Sequence, residues 1–315
     1  MEPPAAHSSA RTLDPRGDAL LLAVADGRDW PSAVTLDLGG TCLHRKAELH
    51  VTLLGREPTA SARAKLGDAR IRAIAATFDW RWRRTGAGSV LRKTKIEGAA
   101  PLPCTSLVEW IELPAFSGFR MALAEAMQMP IPNTLPHVTL YAAGDPAGIG
   151  VPDLTTLAVL RQFDLRLPRG DAPPPPALPA ALHAAYAAAE YRIPGLSACL
   201  RIGHCCATLD AELARRNARR AIVITACNPY SETLAPAANA LRQQWLQDEL
   251  EGAGIATLPA ENHDPSGRWP CEPGLLAFDT SAGFDDGLLR RFEQHAVVVI
   301  EFSQPARLLL HPSHR

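Results

Sequence analysis

The tetrapeptide HVTL occurs twice in this chain, at residues 50–53 within ELHVTLLG and at 137–140 within PHVTLYAA. Side chains alternate across a strand, so in each copy the histidine and threonine share one face while the valine and leucine share the other. The apolar pair can anchor a strand to a core while the polar pair projects. Two positions on one strand face lie about 6–7 Å apart at their Cα atoms, close enough for both groups to touch one small ligand. If the two strands pair, His50, Thr52, His137 and Thr139 line one cleft. Imidazole has an ordinary pKa of about 6.5, so one ring can be a neutral base while its twin is a protonated acid. A phosphodiester calls for that set: a base for the attacking water, an acid for the leaving oxygen, and hydroxyl donors for the phosphoryl oxygens. No metal or other cofactor is needed. A lone histidine on a strand is more often a hydrogen-bonded structural residue, but a repeated motif in strand context weighs toward chemistry.

Two neighbouring features bear on such a cleft. Tyr141 falls on the face of His137 and Thr139 if the alternation continues, where its ring could stack on a nucleobase; core packing at the strand end is the alternative. The segment WRWRRTGAGSVLRKTK, residues 80–95, carries six basic residues and no acid around a glycine pair, and reads as a basic hairpin. Arg81 and Arg83 would share one face, available to phosphates, with Trp80 and Trp82 turned inward. A solvated edge whose charges discourage aggregation is the competing reading.

The paired motifs resemble the signature of the two-histidine (2H) phosphoesterases, a pair of His-x-Thr/Ser motifs on the central strands of two pseudo-symmetric lobes. The resemblance covers roughly residues 20–167. Members of that superfamily include RNA 2′,3′-cyclic phosphodiesterases, related RNA ligases, and enzymes acting on cyclic nucleotides, ADP-ribose cyclic phosphate or 2′-5′ oligoadenylates. It implies metal-free phosphodiester chemistry on a nucleotide or RNA, with His50 as general acid, His137 as general base, and Thr52 and Thr139 binding phosphate. Reversing the reaction direction swaps the two histidine roles. A binding module that holds such a ligand without turnover, or a ligase-like or signal-degrading member of the superfamily, is the alternative.

The elements that must position these groups follow from length and punctuation. At 315 residues the chain suits two domains, with 47% apolar and 21% charged residues and a net charge of -1. Nothing at whole-chain level demands a nucleic acid or a membrane. Arginine outnumbers lysine 28 to 4. The leading apolar run ALLLAVA, residues 19–25, is too short to span a bilayer. Seven cysteines without regular spacing argue for a reducing compartment, so the protein is expected to be cytoplasmic. The adjacent Cys205 and Cys206, near Cys199 and His204, fit zinc geometry poorly and read as buried free thiols. The proline cluster PRGDAPPPPALPA, residues 168–180, marks a linker. Residues 1–170 are expected to form the 2H-like domain, an α+β fold with two pseudo-symmetric lobes, each bearing one HVTL strand and one helix. The strands run through SAVTLDL, ELHVTLL, FDWRWRR, SVLRKTKI, TSLVEWIEL, PHVTLYA and TTLAVLRQFDLRL, with helices near 59–77 and 117–128.

Residues 181–315 are expected to form a second, smaller α/β domain. AIVITAC, GIATLPA, GLLAFDT and AVVVIEF are its strands, and a helix opens near Pro236 and closes at Gly252 or Gly254, with Leu241, Trp245 and Leu250 on its buried side. ITACNPYS and ENHDPSGRWPCEP are polar loops after strands, where sheets commonly bind ligands. Asn228, His263, Asp264, Ser266, Arg268 and Glu272 are therefore candidates for a second polar site. Turn-forming hydrogen bonds are the competing role for them. NPYS with DPSGRWP resembles a small bacterial family of domains of unknown function, over roughly residues 218–303.

Overall fold

The computed structural model describes residues 19–24, 30–97 and 100–315, and within it the chain divides into two compact units. The first holds the described residues up to 24 together with Val34–Leu167; the second holds residues 30–33 together with Pro168–Arg315. Both are mixed α+β, and every strand pairing described in either sheet is antiparallel. No helix among the described residues is long and apolar enough to cross a membrane.

The first unit contains β1 (Leu20–Ala23), β2 (Thr35–Leu38), β3 (Thr41–Arg45), β4 (His50–Leu54), α1 (Arg56–Ala75), β5 (Arg83–Glu97), β6 (Ala100–Glu112), α2 (Ala115–Met127), β7 (His137–Ala143), α3 (Leu154–Leu160) and β8 (Arg161–Arg166). The sheet runs β1-β4-β7-β6-β5-β8, with β3 also on β7 and β2 on β3. Helix α2 forms because Phe116, Phe119, Leu123 and Met127 recur at helical spacing, and all four are buried. It packs on β4 and on α1. Phe119 meets Trp80 edge-on, with ring centres 5.1 Å apart. The guanidinium of Arg120 donates to the carbonyls of Leu53 (2.7 Å) and Pro132 (2.5 Å), tying the end of β4 to the segment that leads into β7.

Several sequence expectations are corrected here. The stretch 80–95 is not a hairpin about its glycines. Residues 83–97 form one long strand, and TGAG is a bulge between β5 and β6, where the register shifts between Arg84 and Gly88. The true hairpin is β5–β6. Glu109 fixes the bulge: buried completely, it takes Nε of Arg84 at 3.0 and 3.1 Å and the backbone amide of Gly86 at 2.9 Å. A Cβ on Gly88 would sit 2.5 Å from Leu167 Cδ1 and 2.6 Å from the Val108 carbonyl, so only glycine fits between the flanking strands. The expected strand TTLAVLRQFDLRL splits into α3 and β8, because the Asp153 side chain caps a helix by accepting the Thr156 amide at 2.7 Å.

The second unit contains α4 (Ala180–Ala188), β9 (Glu190–Ile193), β10 (Ala198–Arg201), α5 (Ala207–Arg215), β11 (Arg220–Ile224), α6 (Pro236–Gly252), β12 (Thr257–His263), β13 (Glu272–Phe278), α7 (Ala282–Arg291), β14 (Ala296–Glu301) and β15 (Arg307–Leu310). Its sheet order is β10-β9-β12-β13-β11-β14-β15. The four expected strands and α6 are present, and Leu241, Trp245 and Leu250 are buried. The expected α/β class is corrected to α+β, since β11 pairs antiparallel with both β13 and β14 rather than forming parallel crossovers. The proline-rich stretch 168–180 belongs to this unit rather than hanging free of it. The Pro173 carbonyl accepts the Tyr230 hydroxyl at 3.0 Å, and the Arg169 amide donates to the Arg291 carbonyl at 3.3 Å.

The Arg84–Glu109 pair and the exposed Arg83–Glu112 pair permit a direct comparison. Removing one partner of a buried pair strands a charge in the core and costs about 3–5 kcal/mol, whereas an exposed pair is worth about 0–1 kcal/mol. Glu109→Ala should therefore lower the urea midpoint of the first unit sharply, read by tryptophan fluorescence, and Glu112→Ala should leave it nearly unchanged. Equal midpoints for the two variants would remove the bulge-fixing role from Glu109.

Candidate active site and a second polar cavity

The two HVTL segments are neighbours in the sheet, paired antiparallel with Val51 opposite Val138. That register sets His50 opposite Thr139 and Thr52 opposite His137, and the two histidines occupy diagonal positions, which in such a ladder lie about 7–8 Å apart at Cα. Val51, Leu53, Val138 and Leu140 are all buried, at 0–2% exposure, while His50, Thr52 and Thr139 are half-buried. The expected division into anchoring and projecting pairs is present in both copies.

His137 is 9% exposed, the more enclosed of the two rings. Its Nδ1 lies 3.1 Å from the Leu135 carbonyl. A carbonyl oxygen only accepts, so Nδ1 carries the hydrogen and Nε2 of the neutral ring keeps its lone pair. Burial pushes the His137 pKa below its ordinary value, opposed by the Leu135 bond, and a positive charge on His50 pushes it further down. The His50 pKa is also lowered, first by burial and then by the Lys46 ammonium, with Glu48 acting in the opposite direction.

Residues not anticipated from sequence complete the surroundings. Trp110 lies opposite His137 on β6 and meets its ring edge-on at 5.5 Å. Its indole N–H donates to Ser89 Oγ at 3.0 Å, and that hydroxyl donates to Asp164 at 2.5 Å, so three strands fix the orientation of the ring beside His137. The loop after β7 closes over Thr139. Gly148, at φ +82°, lies so near that an added Cβ would be 3.1 Å from Thr139 Cγ2. The loop is held by the Ile149 amide on Ser106 Oγ (2.9 Å), by the Lys95–Asp145 ion pair (3.1 Å) and by Lys46 Nζ donating to the Pro146 carbonyl. The sequence signal for Lys46 was only its scarcity, as one of four lysines, and for Trp110 only a strand position.

Other expected members of the site are placed elsewhere. Tyr141 is fully buried and cannot stack on a ligand. Leu107 pairs with Tyr141 and the next residue, Val108, with Thr139, so Leu140 is the extra residue of a bulge that sends Tyr141 to the opposite face from Thr139. Arg81 precedes β5 and is paired with Asp79 at 2.6 Å, and Arg83 is paired with Glu112 at 2.5 Å. Both guanidiniums are exposed and each is paired with a carboxylate; Arg83 opens β5, while Arg81 lies before it, so the two do not share a strand face.

In the second unit a cavity of about 380 Å³ is bordered by Asn228, Asp264, Arg268 and Glu272, four of the six expected residues. None of the residues of the histidine pair borders it. His263 and Ser266 do not line it. His263 projects from β12 with Glu261, whose carboxylate it meets at 2.8 Å, and its Nε2 lies 3.4 Å from Cys271 Sγ. Those three donor atoms lie within 4.8 Å of one another, a spacing that suits a divalent ion and forms the one such group among the described residues. Ser266 is taken up by the Asp264 turn, its hydroxyl donating to that carboxylate at 2.7 Å. Cys199, Cys205 and Cys206 are free thiols, but the expectation that they are buried is corrected: Cys199 and Cys205 are exposed and Cys206 is half-buried.

The floor of the cavity is the turn after β11. Asn228, Tyr230 and Ser231 all have left-handed backbones, with φ of 46°, 46° and 63°. Such a run of non-glycine residues is strained and persists only where its surroundings enforce it. The Arg242 side chain, completely buried, donates to the Ala226 carbonyl at 2.7 Å and to that of Phe292 at 2.6 Å. Gln294 donates to the Cys227 carbonyl at 3.0 Å, and the Tyr230 amide donates to the Glu293 carbonyl at 2.6 Å. Asn228 Nδ2 donates to Glu272 Oε1 at 2.5 Å, and its Oδ1 accepts the Leu234 amide at 3.0 Å and Asn239 Nδ2 at 2.8 Å. Burial pushes the Glu272 pKa up, with the Asn228 bond pulling the other way.

The histidine geometry yields a titration with a definite sign. In a pH series followed by carbon-edited NMR of the imidazoles, the midpoint of His137 should lie below 6.5, and His50→Ala should move it upward by removing a neighbouring positive charge. An unmoved midpoint in that variant would mean that the rings do not face a common space.

Comparison with known proteins bears on the second unit alone. A family described as "Protein of unknown function (DUF3293)" matches residues 224–297, a span that includes the strained turn, Asn228 and Glu272. No curated protein and no solved structure matches the chain.

Proposed function

We propose that the first unit is a metal-independent phosphodiesterase that opens a 2′,3′-cyclic phosphate or a related nucleotide or RNA phosphodiester by two-histidine acid–base catalysis. The observation that carries this reading is the Val51–Val138 pairing, which brings two His-x-Thr faces side by side. A 2H-like arrangement of two lobes is part of the proposal, and it is supported by β4 and β7 being adjacent, with α1 following one and α2 preceding the other.

Nε2 of neutral His137 takes a proton from water as the water oxygen bonds to phosphorus. The bond from phosphorus to the leaving ribose oxygen breaks, and protonated His50 gives that oxygen its proton. The Thr52 and Thr139 hydroxyls donate to the non-bridging oxygens as charge builds there. The assignment of base to His137 is favoured by its lone pair on Nε2 and its deeper burial; His50, the more exposed ring, suits the acid. Trp110 packs edge-on against the His137 ring, and the Gly148 loop lies against the Thr139 side chain.

The test is hydrolysis, with chelator present, of 2′,3′-cyclic nucleotides, 3′,5′-cyclic nucleotides, ADP-ribose cyclic phosphate and cyclic-phosphate-ended RNA. At least one should be cleaved, and His50→Ala and His137→Ala should each lower kcat/KM by about 10²–10⁴-fold, the usual size of an acid–base contribution. Turnover that survives both substitutions, or that chelator abolishes, sinks the mechanism.

The pH profile is a separate check. Below the lower midpoint the base is protonated and inactive; above the upper one the acid has lost its proton. Because both free-enzyme imidazoles are held below 6.5, kcat/KM should pass through a maximum on the acid side of that value. An alkaline optimum would contradict the assignment.

A further inference from the structure

The cavity of the second unit combines three chemical regions that a single class of ligand matches. At its deeper end stands the Glu272 carboxyl. One oxygen accepts from Asn228 Nδ2, while Asn228 Oδ1 is filled by two donors, and the other Glu272 oxygen makes no bond among the described residues. What this end offers a ligand is therefore an acceptor, and it calls for N–H donors. The middle is lined by flat and apolar groups, among them Tyr186, Tyr191, Val223 and Leu308, which suit a planar ring. The Tyr186 hydroxyl is 2.7 Å from Ser231 Oγ, so that ring is fixed by the strained turn.

The exposed rim carries Trp269, at 54% exposure an unusually open large aromatic, and Arg268. The Arg268 guanidinium makes no ion pair among the described residues. The Asp264 carboxylate is taken up by its own turn, accepting from the amides of Ser266, Arg268 and Trp269 and from the Ser266 hydroxyl, and makes no hydrogen bond to that guanidinium. The rim is thus a ring surface beside guanidinium N–H donors that no carboxylate contacts, which favours an anionic group attached to a stacked ring.

We infer that this cavity binds a nucleoside monophosphate whose base bears an exocyclic amine, with the amine edge on Glu272, the ring against Trp269 and Tyr186, and the phosphate on Arg268. The volume of about 380 Å³ is of the size that encloses a small ligand. The site is independent of the histidine pair, so its occupancy needs no turnover.

The experiment is isothermal titration calorimetry of the full chain with GMP, AMP, CMP, UMP and inorganic phosphate. One or more of the amine-bearing nucleotides should bind saturably, at least about tenfold tighter than UMP and than phosphate alone, as expected when a hydrogen bond to a charged group is lost. Glu272→Gln and Trp269→Ala should each weaken that binding by about tenfold, while His137→Ala leaves it unchanged. Trp269 is exposed, so its variant keeps the reading open should Glu272→Gln unfold; far-ultraviolet circular dichroism identifies that case. Absence of saturable binding up to about 1 mM, equal binding of UMP, insensitivity to Trp269→Ala, or loss of binding in His137→Ala each overturns the inference. Failure of the phosphodiesterase reading leaves these binding results untouched.

Discussion

The antiparallel contact between Val51 and Val138 is the constraint on which the first unit depends. Both side chains are fully buried, and with period-two alternation their burial leaves His50, Thr52, His137 and Thr139 no face but the other one. A slip of either strand by one residue would turn its histidine and threonine toward the core and its valine and leucine out of it. The apolar core therefore does the positioning, and Arg120 reinforces it by bridging the carbonyls of Leu53 and Pro132, one on each side of the pair.

Irregularities in the sheet shape the space around that pair. The bulge at Leu140 ends the alternation just beyond Thr139, so the polar face stops there and Tyr141 turns into the core. The bulge at 84–88 keeps β5 in the sheet between β6 and β8 while Glu109 satisfies the Arg84 side chain and the Gly86 amide together. With β5 in place, Ser89 reaches both Trp110 and Asp164, and the indole that faces His137 is held by strands on either side.

The second unit builds its cavity by a different device. Three left-handed residues in NPYS turn the chain sharply after β11, and buried side chains from α6 and from the segment before β14 take up the freed carbonyls. Asn tolerates this backbone better than most residues, and Asn228 also spends its amide on Glu272, which joins the turn to the opposite strand, β13. The strain is thus concentrated where polar groups converge on a cavity, the usual location for such a cost.

The sequence by itself determined the repeated motif, the alternation that separates its polar and apolar members, the break at Pro168, the buried stripe of α6 and four of the residues that border the second cavity. These are local properties, set by side-chain periodicity and by proline and glycine chemistry within a few residues. Only the tertiary structure decided that the two HVTL strands are neighbours, that Tyr141 is turned away, that Arg83 is paired with Glu112, and that the second sheet is antiparallel. Strand order, bulges and ion pairs join residues dozens of positions apart, as Trp110 with His137 and Asn228 with Glu272 illustrate. Their energies come from the packing of the whole sheet, which no short stretch of chain encodes.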